Sequence, residues 1–160
     1  MKKETRFITE GALIAALYIA LTFLSRAVGL DSGAIQLRLS EALTVVPVFT
    51  TAAVPGLFVG CLLANLLTGC AVWDIVFGAV ATLLGAVGTR IFAKNKKRLA
   101  PICPIIANTA IIPVILKIVY ATKMAYPVLC LAIFIGELIS CGILGQALIG
   151  IIERSGVFKK

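Results

Sequence analysis

The chain has 160 residues, 61% hydrophobic and 14% charged, with a mean hydropathy of +1.09 and a formal net charge of +8. This is too apolar for a soluble globular domain of its length. The charge does not mark a nucleic-acid surface, because eleven of the fifteen basic residues form three clusters beside apolar runs: Lys2, Lys3 and Arg6; Arg90, Lys94, Lys96, Lys97 and Arg98; Arg154, Lys159 and Lys160.

The first apolar run, Phe7 to Leu24, has no small-residue cleavage site and is expected to remain as a first helix over about residues 7–25. It carries Ala12, Ala16 and Ala20 at steps of four, a strip of small side chains against which another helix can approach closely. A polar stretch over residues 26–39 follows, and Ala34 to Ser40 alternates apolar and polar residues, the period of an extended strand that folds back as a lid. The next run, 42 to 69, raises the question of how many times the chain crosses the bilayer. Hydropathy alone counts five helices, but Lys2 and Lys3 share a side with the cluster at Lys94 to Arg98 only if an even number of spans separates them. The run therefore divides, and Pro55-Gly56 offers the break, giving short helices at 40–54 and 56–69, with Pro47 kinking the first. Helices at 73–93, 101–121 and 126–152 complete the pass. The expected fold is an all-α integral membrane protein, one domain over residues 1–160, with a single bundle of six transmembrane helices and both termini cytoplasmic.

An ionisable group at bilayer depth costs a few kcal/mol unless it faces a cavity or a partner. Glu137 lies eleven positions beyond Tyr126, about 16 Å into the last helix at 1.5 Å per residue, and is either a ligand contact, half of an ion pair with Lys117, or a proton-coupling group. Glu41, Asn65, Asp74, Lys117, Gln36 and Arg38 all fall in the outer half of this topology, where they can converge on one site. Each also has a structural reading. Glu41 and Asp74 suit first helical turns, Lys117 can snorkel to the interface, and Asn65 can bond between helices. Trp73 either belongs to the interfacial aromatic belt or stacks on a ring-shaped ligand. Asn108 and Gln146 read as interhelical hydrogen-bonding groups on the inner half.

The five cysteines lie mostly within apolar runs, with no C-x-x-C and no histidine in the chain, so neither a metal site nor a cofactor is expected and they read as small hydrophobes. Without histidine there is no H-E-x-x-H or Ser-His chemistry, and without a G-x-x-x-x-G-K-[ST] loop there is no ATP hydrolysis by that route. An enzyme is not expected. A binding subunit energised by other proteins fits better than an autonomous carrier.

The residues resemble a known family, the substrate-capturing S components of energy-coupling factor (ECF) transporters, in particular the QueT group. The resemblance covers nearly the whole chain and rests on Ile35-Gln-Leu-Arg-Leu-Ser-Glu-Ala-Leu, Ala64-Asn-Leu-Leu, Trp73-Asp-Ile-Val-Phe-Gly and Ile135-Gly-Glu. It implies a six-helix S-component fold in a bacterial plasma membrane, with an outward-facing pocket for a queuosine precursor, a 7-deazaguanine such as preQ0, preQ1 or queuine. The implied partners are a transmembrane coupling subunit, docked on the strip Ala12, Ala16 and Ala20, and two ABC-type ATPases. In that pocket Glu137 or Asp74 would accept two parallel N–H donors, Asn65 or Gln36 would read the carbonyl, Trp73 would stack, and Glu41 would pair with a cationic amine. The alternatives are an S component for another vitamin-like molecule, or a membrane assembly factor that transports nothing.

Overall fold

The computed structural model describes residues 2–30 and 36–158. Among them every regular element is helical. Helix α1 spans Lys3–Ala27, a 3₁₀ helix Leu39–Val48, α2 Ala53–Leu67, α3 Val72–Phe92, α4 Ile102–Ile118 and α5 Tyr126–Ser155, the last containing a π-helical stretch at Leu138–Leu144. Four of the helical stretches, Lys3–Ala27, Val72–Phe92, Lys97–Ile118 and Tyr126–Ser155, are long and apolar enough to cross a membrane. Leu39–Val48 and Ala53–Leu67 are short apolar helices, about 20 Å at 2.0 Å per 3₁₀ residue and about 22 Å at 1.5 Å per α residue. Large apolar side chains cover the outside, including Ile8 at 68% exposed, Phe92 at 74% and Ile118 at 75%, as a lipid-facing surface requires.

The run from 42 to 69 does divide, but at Phe49 to Ala52 rather than at Pro55. Pro55 sits in the first turn of α2, where its missing amide would have had no intrahelical partner anyway, so it does not break the helix. The earlier break follows from Thr44-Val-Val-Pro-Val, a β-branched run interrupted by proline that is a poor α-helix former and is accommodated as a tighter 3₁₀ turn. Arg90 of α3 donates to the carbonyls of Pro47 and Val48 at 3.0 and 3.4 Å, which satisfies acceptors that the end of this helix leaves over. The expected strand is absent from the described part of its segment. Residues 36–38 are irregular, with Leu37 donating its amide to the Leu30 carbonyl, and Leu39 opens the 3₁₀ helix; Ala34 and Ile35 lie outside the described residues.

The 3₁₀ helix is the centre of the packing. Ser40 through Val48 are all buried, and the segment lies against α1, α3 and both the π stretch and the following turns of α5. Helices α1 and α2 press together beside it: a Cβ on Gly56 would lie 2.6 Å from the Gly11 carbonyl oxygen, and one on Gly60 would lie 2.9 Å from Tyr18 Cβ. The buried face of α1 is Ile14, Ala15, Tyr18, Thr22 and Ser25, which leaves Ala12, Ala16 and Ala20 exposed on another face.

Contacts at the two ends of the helices sort the loops. At one end Thr50 donates to Glu10 at 2.7 Å, Lys97 pairs with Glu153 at 2.7 Å and lies 4.8 Å over the Phe49 ring, Phe49 stacks on Phe158, and Gln146 donates to the Arg98 carbonyl. At the other end Arg26 donates to the Thr68 carbonyl, and Tyr120 joins the start of α3. The start of α1, the Lys94 to Arg98 cluster and Arg154 therefore share an end with the break after the 3₁₀ helix.

Candidate functional site

Where the 3₁₀ helix faces the π stretch, polar side chains collect in the middle of the helices. Tyr18 donates its phenol to Glu41 Oε1, and Asn108 of α4 donates its amide to Glu41 Oε2 at 3.4 Å. Cys141 Sγ lies 3.1 Å from Glu137 Oε2 and donates to it, 3.4 Å from the Glu41 carbonyl oxygen, and 3.3 Å from Thr44 Oγ1, which itself donates to the Glu41 carbonyl at 2.6 Å. The Glu41 and Glu137 carboxylates and the Cys141 sulfur thus have atoms within 4.8 Å of one another. The local backbone makes this approach close: a Cβ on Gly145, just after the π stretch, would lie 2.8 Å from Val45 Cγ1.

These groups surround an interior cavity of about 20 Å³, lined by polar Gln36, Arg38, Glu41, Asn108 and Glu137 together with Thr82 and apolar neighbours from α3, α4 and α5. That volume suits a single water, whereas small-molecule pockets run to about 300–1,000 Å³, so admitting a ring requires the lining to move. Gln36 and Arg38 line it from the irregular segment before the 3₁₀ helix. The Arg38 guanidinium reaches Asn65 Oδ1 at 3.5 Å, and Asn65 donates to the Asp74 carbonyl at 3.4 Å. The Asp74 carboxylate accepts from the Tyr120 phenol at 3.1 Å, and that phenol also accepts from the Ala71 amide. Burial, with Asp74 beside it, holds the Tyr120 phenol above its ordinary pKa.

Of the residues singled out in the sequence, Gln36, Arg38, Glu41 and Glu137 line the cavity, and Asn65 and Asp74 follow outward behind Arg38. Trp73 and Lys117 lie elsewhere. Trp73 is 60% exposed, stacks on Phe77 at 5.9 Å, and lines an outer groove with Val114 and Ile118. Lys117 donates to the carbonyls of Thr122 and Met124, both at 3.0 Å, and makes no ion pair with Glu137 among the described contacts. Gln146 bonds to the Arg98 carbonyl, away from the cavity, but Asn108 is a cavity residue rather than only an interhelical bridge. Sequence reasoning passed over Tyr18, Thr82 and Cys141. Tyr18 had a signal, since Tyr18, Thr22 and Ser25 place three hydroxyls on one helical face of an otherwise apolar segment. Cys141 had none, because a lone cysteine in an apolar run reads as a small hydrophobe.

A family model described as QueT transporter matches residues 8–154. The chain is 31% identical over 97 residues to the queuosine precursor transporter QueT of Lactococcus lactis subsp. cremoris (strain MG1363), covering 60% of this chain and 57% of that protein. It thus spans somewhat more than half the length of that relative. No solved structure matches. With the match extending from the first helix to the last, and four helices long and apolar enough to cross a membrane, the chain is a multi-pass membrane protein that belongs to the QueT transporter family.

Proposed function

We propose that the protein is the substrate-binding S component of an ECF-type ABC transporter in a bacterial plasma membrane, capturing a queuosine precursor, a 7-deazaguanine, from outside the cell. The carrying observation is the interior cavity in which Glu41, Glu137, Asn108, Gln36 and Arg38 converge among apolar helices, a cost in buried polarity that a purely structural bundle has no reason to bear. A relative is named for transport of queuosine precursors. The chemistry suits such a ligand. A carboxylate, Asp74 or Glu137, accepts the two parallel N–H donors of the pyrimidine edge, and an amide, Asn65 or Gln36, reads the carbonyl.

In this reading all six helices cross the bilayer as one domain, and the end carrying Lys94 to Arg98, Arg154 and the start of α1 is cytoplasmic, as the excess of basic residues favours. The ligand enters at the opposite end by displacement of Gln36 and Arg38. The chain has no phosphate-loop motif, so two ABC-type ATPases supply the energy through a transmembrane coupling subunit, and the exposed strip Ala12, Ala16 and Ala20 is where that subunit docks. Thermal stabilisation of the detergent-purified chain by queuine, preQ1 or preQ0, and not by riboflavin or thiamine, is the expected result. Stabilisation by a vitamin instead would reassign the substrate, and no shift with any of these ligands would favour a membrane assembly factor.

A further inference from the structure

The ionisable groups around the cavity are out of balance. The 3₁₀ segment brings Arg38 and Glu41, α5 brings Glu137 and Cys141, α1 brings Tyr18 and α2 brings Cys61. Helix α3 adds Asp74, which interacts electrostatically with Arg38, and α4 presents the neutral amide of Asn108. Three carboxyl groups therefore face one guanidinium. Glu41 accepts through both of its oxygens, from Tyr18 and from Asn108, which is the pattern of an ionised carboxylate. Arg38 interacts with both Glu41 and Asp74. Glu137 receives the Cys141 thiol, and one of its oxygens stands within 4.8 Å of a Glu41 oxygen and of the Cys141 sulfur. Like charges this close and shielded from water do not both ionise unless a cation joins them.

Resting on the deazaguanine reading above, we propose that the site takes its ligand as a cation, whose ammonium replaces a proton on Glu137 and lies between the Glu41 and Glu137 carboxylates. The exchange balances as Glu137 carboxylic acid plus ligand ammonium giving a carboxylate–ammonium pair and one proton released to solution, with no covalent bond of the ligand broken. The primary amine of preQ1 and the secondary amine of queuine supply that charge, and the nitrile of preQ0 does not. Asp74 is then left to accept from the pyrimidine edge, on the outer side of the cavity.

Titration calorimetry of the detergent-purified full chain tests this with preQ1 and preQ0, each at one pH in two buffers of different ionisation enthalpy. The expected result is about one proton released per preQ1 bound, an affinity for preQ1 at least about tenfold above that for preQ0, and a preQ0 enthalpy independent of buffer. Glu137→Gln should abolish the proton release and weaken preQ1 by about tenfold or more, removing its preference over preQ0. If that variant does not fold, the buffer comparison on the unmodified chain decides alone. Equal affinities with buffer-independent enthalpies overturn the cation inference and leave the deazaguanine reading standing. Failure of the folded chain to bind either ligand, or queuine, overturns that reading, and the inference with it.

Discussion

Tyr18→Phe removes one oxygen and leaves the rest of a fully buried side chain in place, so it isolates the hydrogen bond from Tyr18 to Glu41. Packing changes little because the ring, 1% exposed and flanked by α2, keeps its shape. What is lost depends on the state of Glu41. Polar pairs between membrane helices couple by about 0.6 kcal/mol on average and at most about 1.7, whereas hydrogen bonds to charged groups contribute about 1.5–3 kcal/mol. An ionised Glu41, left with only the long 3.4 Å contact from Asn108 as its other side-chain donor, should place Tyr18→Phe near the upper figures, at about 1.5 kcal/mol or more of unfolding free energy. The assay is reversible unfolding in mixed micelles for the unmodified chain, Tyr18→Phe, Glu41→Gln and the double variant, which together give the coupling between the two groups. A coupling at or below about 0.6 kcal/mol would refute the assignment of an ionised Glu41 held by Tyr18.

Gly56→Ala should cost about 1–3 kcal/mol in the same unfolding assay, because the new methyl would meet the Gly11 carbonyl at 2.6 Å and force α1 away from α2. Ala16→Leu lies on an exposed face, so ligand-induced thermal stabilisation should stay unchanged while, under the docking proposed above, co-purification with a coupling subunit falls sharply; a loss of ligand response instead would place Ala16 in the fold rather than at an interface. Trp73→Leu, in the outer groove and not at the cavity, should change ligand affinity by less than about 0.5 kcal/mol in titration calorimetry.

The parts of this arrangement legible in the sequence were those carried by expensive residues and by periodic ones. Glu137 stands out because a carboxylate within an apolar run has a large cost to explain, whereas Glu41 suits a first helical turn as readily as a ligand contact. That the 42 to 69 run divides came from charge alternation, but its site of division did not. Pro55 is tolerated in the first turn of α2, and the β-branched residues around Pro47 set the break instead. Trp73 and Lys117 were drawn toward the site by chemistry that suits a ligand, yet their positions are set by which face of α3 and α4 points outward, and an apolar helix of a membrane protein carries little periodic contrast to reveal that. Asn108 does bond between helices, as its residue type suggests, but that its partner is Glu41 is set by the 3₁₀ helix and has no sign in the sequence.

The position of Glu41 exposes the physical link between backbone and site. A 3₁₀ helix of ten residues is unusually long, and a π stretch is rare; here the two lie against each other. A 3₁₀ helix rises about 2.0 Å per residue against about 1.5 Å for an α-helix, so ten residues gain about 5 Å of reach. That reach carries Arg38 and Glu41 toward the outer end while Pro47 and Val48 stay anchored to Arg90 at the other. The π stretch widens α5 where Cys141 and Gly145 must face the same segment. Rewinding Leu39–Val48 as an α-helix would retract Glu41, seven residues from Val48, by about 3.5 Å, out of register with Tyr18, Asn108 and Glu137. The departures from α geometry are therefore what bring carboxylates from two separate helices into one cavity.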